Sequence, residues 1–265
     1  MHRKPTDSML RADLGSVSSA RVLFAHQSVG ANILDGVRDL QSTLKSPPIR
    51  AVELGAEESA DGSGVLLHAR IGQNQFPASK CEDFRRVLGE LRGRIDVALL
   101  KFCYVDFNHE SDPGEIFSVY SRTLDDLKQA YPDIAFVHVT APLRTVERGH
   151  GIWILESLGR RNRAKHANAR RGEFNDLLMG RYSRDPVFDL AGCMSTHPDG
   201  RRESFTMNGV RHEALVPAYT DDGGHLNALG RKHVAAEFIQ AIAAALAHRT
   251  QLAMPVSKVA NDGAA

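Results

Sequence analysis

The chain has 265 residues, of which 42% are hydrophobic and 25% charged, and a formal net charge of +1. That length suits one sizeable domain, and the near-neutral balance supplies no field for a polyanion, so neither nucleic acid nor membrane is expected as a partner. Three scattered cysteines (Cys81, Cys103, Cys193), no apolar run long enough to span a bilayer, and no apolar core behind the basic start Met1-His-Arg-Lys argue against a disulfide framework, a membrane span and a signal peptide, giving a cytoplasmic expectation.

In chain order, the first ~19 residues read as an N-terminal extension. A short apolar strand is expected over 21–25 (Arg21-Val-Leu-Phe-Ala), followed by His26-Gln27-Ser28 and a helix over 29–44, where Ile33, Leu34, Val37 and Leu40 share one face. Further strands are expected over 50–54, 96–102, 134–140 and 187–190, and further helices over 79–92, 114–130, 163–181 and 227–247. Two longer stretches, 142–159 and 192–220, read as irregular, of the length that usually serves as lids or partner surfaces. Residues 251–265 read as a flexible tail. Alternating strands and helices predict an α/β fold in one domain over 1–250: a three-layer α/β/α sandwich with a central parallel sheet of about five strands, flavodoxin-like in order.

Two places carry chemistry. Ser28 stands where a strand runs into a helix, so its hydroxyl is expected at the sheet edge with helix N–H groups beside it. The plain alternative is an N-cap. Near the other end, Tyr219-Thr-Asp-Asp-Gly-Gly-His-Leu-Asn-Ala-Leu-Gly230 places Asp222 three residues before His225, ahead of an apolar helix. A carboxylate at that spacing can hold one imidazole nitrogen while the other faces outward, the orienter-and-base half of a nucleophilic hydrolase. A helix-opening loop capped by Asp221 or Asp222 is the plain alternative there. Tyr104, Asp106 and Asn108 alternate past the third of these strands and are candidates for lining a substrate pocket. Trp153 with Ile152, Ile154 and Leu155 either caps that pocket or buries its own loop.

Other patterns are set aside. Twelve histidines are present, but none forms a helical i, i+4 pair around a glutamate, and no Cys-x-x-Cys occurs, so no metal is expected. No glycine cluster has the spacing of a phosphate loop, and no cofactor is expected. The basic run from Arg160 to Lys165 reads as the solvated face of a helix.

A serine after the first strand and an Asp-x-x-His before the last helix resemble the SGNH (GDSL-like) hydrolase superfamily of serine esterases and lipases, over about residues 20 to 247. The family's serine block commonly reads Gly-Asp-Ser; here it is His26-Gln27-Ser28. The resemblance implies Ser28 as nucleophile, His225 as general base, Asp222 as its orienter, and the N–H groups of Ser28 and Gly72 (in Ile71-Gly-Gln-Asn74) as oxyanion donors. The family's Gly-x-Asn-Asp block corresponds to Lys101-Phe-Cys-Tyr-Val-Asp106, where Asp106 matches the last aspartate and no asparagine precedes it. Asn74, or a backbone N–H near Cys103 and Tyr104, is the candidate replacement. The activity implied is hydrolysis of a small ester, with an O-acetyl group on a carbohydrate as the family-based substrate. A lipase or thioesterase, or a non-catalytic binding domain of the same fold, are the alternatives.

Overall fold

A computed structural model describes residues 5–56, 62–147 and 162–253. Helix α1 (Asp7–Val17) lies within the N-terminal extension; Thr6 caps it by accepting from the Met9 N–H, and Leu10, Leu14 and Val17 turn one face into the core. Burying Leu14 alone is worth about 1.5–3 kcal/mol, so this segment belongs to the folded unit. There follow β1 (Arg21–His26), α2 (Ser28–Leu44), β2 (Arg50–Glu53), β3 (Val65–Arg70), α3 (Pro77–Glu90), β4 (Val97–Leu100), α4 (Pro113–Ala130) and β5 (Ala135–Val139). The rest comprises α5 (Arg163–Arg181), β6 (Val187–Phe188), α6 (Leu190–Ser195), the hairpin β7 (Ser204–Met207) and β8 (Val210–Glu213), and α7 (Ala228–Ala253).

Six parallel strands form the main sheet in the order β2-β3-β1-β4-β5-β6. The last five have the flavodoxin-like order, and β2 adds an edge strand. The strand absent from the sequence expectation is β3, which is central and pairs directly with β1. Apolar side chains cover both faces, as a parallel sheet between helices requires. Val22 and Phe24 of β1 face α2 and α7, whereas Leu23 and Ala25 face the opposite layer with Phe84, Leu88 and Leu124. Because every strand of this sheet runs the same way, the segments after β1, β3, β4 and β5 emerge at one carboxyl edge, and Ser28, Gly72, Tyr104 and Arg144 lie in them.

The stretch 192–220 is more ordered than expected: it holds most of α6, the β7–β8 hairpin and a short 3-10 turn at Pro217–Tyr219. Trp153 lies outside the described residues. Among the described residues no helix is long and apolar enough to cross a membrane.

Candidate active site

Strand β1 ends at His26, and Gln27 in extended backbone (φ −130°, ψ −164°) precedes the helix that Ser28 begins. Ser28 therefore occupies the first turn of α2, where backbone N–H groups have no partner inside the helix. Among the described residues, nothing pairs with its hydroxyl or its N–H.

Asp222 organises the turn that carries His225. Its Oδ1 accepts from the backbone N–H groups of Gly224 (2.9 Å) and His225 (2.8 Å), and its Oδ2 accepts from His225 Nδ1–H at 2.5 Å. The imidazole N–H, followed by these backbone donors, holds the Asp222 carboxyl well below the usual carboxylate range. With Nδ1 carrying the proton, Nε2 is a bare acceptor, and the Tyr104 hydroxyl reaches it at 3.4 Å, a long bond. The Tyr104 ring stands edge-on to the imidazole, and the Arg144 guanidinium lies over its face at 5.3 Å. Gly224 lets the Tyr104 ring lie close to this turn: a Cβ there would meet the ring at 3.0 Å, so the ring would have to give by a few tenths of an ångström.

The two ends of the chain are pinned beside this turn. Asn32, one helical turn after Ser28 and on the same side of α2, accepts from the Leu226 N–H at 3.1 Å. That bond fixes the residue after His225 against the helix that Ser28 opens. The His225 imidazole is not hydrogen-bonded to Ser28 in this resting arrangement; such bonds often tighten only with substrate bound.

On the oxyanion side the expectations divide. The Gly72 N–H is not available: it donates to Asp83 Oδ2 at 2.7 Å, which corrects its assignment as an oxyanion donor. Asn74 is exposed, and its Oδ1 accepts from Lys80 Nζ at 3.0 Å. An ammonium only donates, so this bond fixes the amide's orientation and leaves its NH2 group directed away from Lys80. Asp106 is not a pocket residue. Its side chain is 0% exposed, paired with Lys80 at 2.6 Å, and it accepts from the N–H groups of Cys103 (2.6 Å) and Gln75 (2.9 Å). It folds the 3-10 turn Tyr104–Asp106 from within.

Residues that the sequence reading passed over support this floor. Arg171 of α5, pushed down to about 10 by burial, donates to the Tyr104 carbonyl through Nε (3.0 Å) and Nη2 (2.8 Å). Lys101, wholly buried, donates to the Phe102 carbonyl at 2.9 Å, and its burial lowers its pKa to about 8. Gln27 Nε2 donates to the carbonyls of Ile71 (2.7 Å) and Gly72 (3.2 Å), tying the serine turn to the loop after β3. Asn32 and Gln27 are ordinary helix-side and strand-end residues in sequence, and no local pattern marks them. Among the described residues no cluster of three or more His, Cys, Asp or Glu side chains is arranged to hold a metal. An open hollow of about 660 Å³ beside the start of α4, lined by Glu110, Asp112, Arg170, Glu173 and Asp176 among others, shares no residue with this site.

Neither a family model nor a curated protein matches the sequence. Solved structures do. One from Bacteroides fragilis NCTC 9343 that carries an acylhydrolase designation is 16% identical, with a TM-score of 0.54 over 92% of this chain and 100% of that one. A lipase/acylhydrolase from Enterococcus faecalis is 14% identical, with a TM-score of 0.47 over 84% of this chain and 94% of that one. The chain thus has the α/β/α fold of the Bacteroides fragilis structure, and its likeness to the SGNH hydrolases stands at the level of that fold.

Proposed function

We propose that the protein is a serine ester hydrolase that cleaves a small carboxylic ester through an acyl-enzyme intermediate. The observation that carries this reading is the Asp222–His225 pair, whose outward Nε2 sits in a turn bonded through Leu226 to the helix that Ser28 begins. In the proposed reaction, His225 Nε2 takes the Ser28 hydroxyl proton while Oγ attacks the ester carbonyl. The imidazolium that forms is stabilised by Asp222. The tetrahedral oxyanion is met by the Ser28 N–H, and the Asn74 NH2 is the proposed second donor in place of Gly72. The C–O bond to the alcohol then breaks as His225 returns the proton to the leaving oxygen. Water repeats the two steps on the acyl-serine and releases the acid. An O-acetyl group on a carbohydrate remains the proposed substrate, on the family resemblance.

The test is Ser28→Ala. A fluorophosphonate should modify the wild-type protein at Ser28 and leave the variant unmodified, and hydrolysis of p-nitrophenyl acetate should fall by roughly 10⁴-fold or more. Activity that survives the substitution removes Ser28 as nucleophile.

A further inference from the structure

The departure of the serine block from Gly-Asp-Ser puts a histidine two residues before Ser28, and that side chain is 0% exposed. Its Nδ1 lies 2.8 Å from the carbonyl oxygen of the next residue, Gln27. A carbonyl only accepts, so Nδ1 carries the proton, and burial keeps the ring neutral by lowering its pKa to about 3. Nε2 is then bare and accepts from His68 Nδ1–H at 3.3 Å. The same Gln27 carbonyl receives a second bond, from the Gly30 N–H at 2.7 Å. Gly30 cannot be replaced without disturbing this arrangement, because a Cβ there would lie 2.3 Å from the His26 ring. The imidazole fills the space that a side chain at position 30 would take.

The consequence concerns the other end of the same peptide unit. No cis peptide occurs among the described residues, so the Gln27 C=O and the Ser28 N–H point in opposite directions across a planar group. Two donors draw the carbonyl inward, and the Ser28 N–H is thereby turned outward, where nothing among the described residues engages it.

We infer that His26 is a positioning residue: by holding the Gln27 carbonyl together with the Gly30 N–H, it aims the Ser28 N–H at the oxyanion. This rests on the ester-hydrolase reading above. His26 does not touch the substrate; it fixes the direction of a donor whose value in catalysis depends on being oriented before the charge develops.

Two variants separate this role from simple core filling. His26→Asn places an amide N–H near the Nδ1 position and keeps the bond to Gln27, whereas His26→Leu removes it; both lose the link to His68. With p-nitrophenyl acetate, His26→Leu should lower kcat by roughly 10- to 100-fold with KM within about threefold, because the interaction lost matters only in the transition state. His26→Asn should restore kcat to within about threefold of wild type. Labelling of Ser28 by fluorophosphonate should slow in parallel in the Leu variant. Should His26→Leu fail to fold, His26→Gln takes its place, since its amide reaches the Nε2 position instead. Equal losses in the Asn and Leu variants, or wild-type kcat in the Leu variant, overturn the inference while Ser28 labelling of the wild type leaves the hydrolase reading intact. A wild-type protein that is never labelled at Ser28 overturns both.

Discussion

In the turn over residues 220–227, Asp222 gathers donors from Thr220 Oγ1, the Gly224 and His225 N–H groups and the His225 ring, with its side chain 55% exposed. On the floor of the site, Asp106 gathers donors from Lys80, Gln75 and Cys103 with its side chain fully enclosed. Both aspartates are heavily bonded, and both match positions of a hydrolase pattern. What separates them is where the partner's other face points. The imidazole bonded to Asp222 turns its other nitrogen toward the carboxyl edge of the sheet, where only the long contact from the Tyr104 hydroxyl meets it, so the carboxylate can act through it. The ammonium bonded to Asp106 only donates, to that carboxylate and to the Asn74 amide oxygen, so the carboxylate has no base to act through and serves to hold the loops in place. Mutations in the exposed turn should therefore cost activity and spare stability, and mutations in the floor should cost stability first.

The largest expected effect tests the turn. Asp222→Asn should lower kcat/KM by roughly 10³- to 10⁴-fold, because the imidazole loses its orienting acceptor and its preferred tautomer. Urea unfolding should move by no more than about 1 kcal/mol, given how exposed the pair is. A protein that unfolds instead of losing activity would place Asp222 with Asp106. The floor gives the converse. Lys80→Met leaves the Asp106 carboxylate buried without its counter-ion, a change that costs about 3–5 kcal/mol in comparable buried pairs. Chemical unfolding measures that loss directly, and a near-neutral result would show that Gln75 and Cys103 suffice to hold the charge.

The same contrast explains what was legible in the sequence. The bonds that Asp222 makes within the Asp222–His225 turn are local, with every donor to its carboxylate within three residues, so the spacing alone carries that part of the geometry. Asp106 and Lys80 are 26 positions apart, and nothing in the run Lys101-Phe-Cys-Tyr-Val-Asp106 announces that the aspartate turns inward. The layers and most helix limits follow from apolar periodicity; α5 matches over Arg163–Arg181. Strand β3 escaped because Val65-Leu-Leu-His-Ala-Arg70 is Leu-rich, with one β-branched residue, and short apolar runs of that kind do not declare a period. The β7–β8 hairpin was readable. Asn208-Gly209 joins the two strands with positive φ at both positions (53° and 76°), the pairing that tight hairpins favour. So was α1, whose Thr6 cap and Leu10, Leu14, Val17 spacing stand in plain view. Asn32, by contrast, bonds to a residue 194 positions away, and no local signal encodes that partner.

A smaller effect sharpens the comparison through pH. His26 and His138 are both buried and held neutral, chiefly by desolvation, with His26 lowered to about 3. Their folded pKa values lie below the unfolded value near 6.5, so the unfolded chain binds more protons once the pH falls under that value. The contribution of these two histidines to stability should be steady above pH 7 and decline as pH drops from about 6.5 toward 3, with His26 adding a slope of up to roughly 1.4 kcal/mol per pH unit. In His26→Asn the decline should be shallower by about that slope in thermal or urea unfolding at stepped pH. An unchanged profile would mean that the His26 ring is hydrated enough to titrate in the folded state.

The smallest effect concerns Tyr104, which stands between the two regions: its backbone belongs to the Asp106 turn and its hydroxyl to His225. Because Nδ1–H is given to Asp222, the Tyr104 O–H is the donor in the 3.4 Å contact with Nε2, and it occupies the lone pair that would take the Ser28 proton. A long neutral bond of this kind is worth about 0.5–1 kcal/mol. Tyr104→Phe keeps the ring against Gly224 and beneath Arg144 while freeing that lone pair. On p-nitrophenyl acetate, kcat/KM should rise by roughly two- to fivefold, the rate equivalent of that bond. A fall of more than about tenfold would instead assign the hydroxyl to the substrate or the oxyanion, and would move Tyr104 from the supporting turn into the reacting site.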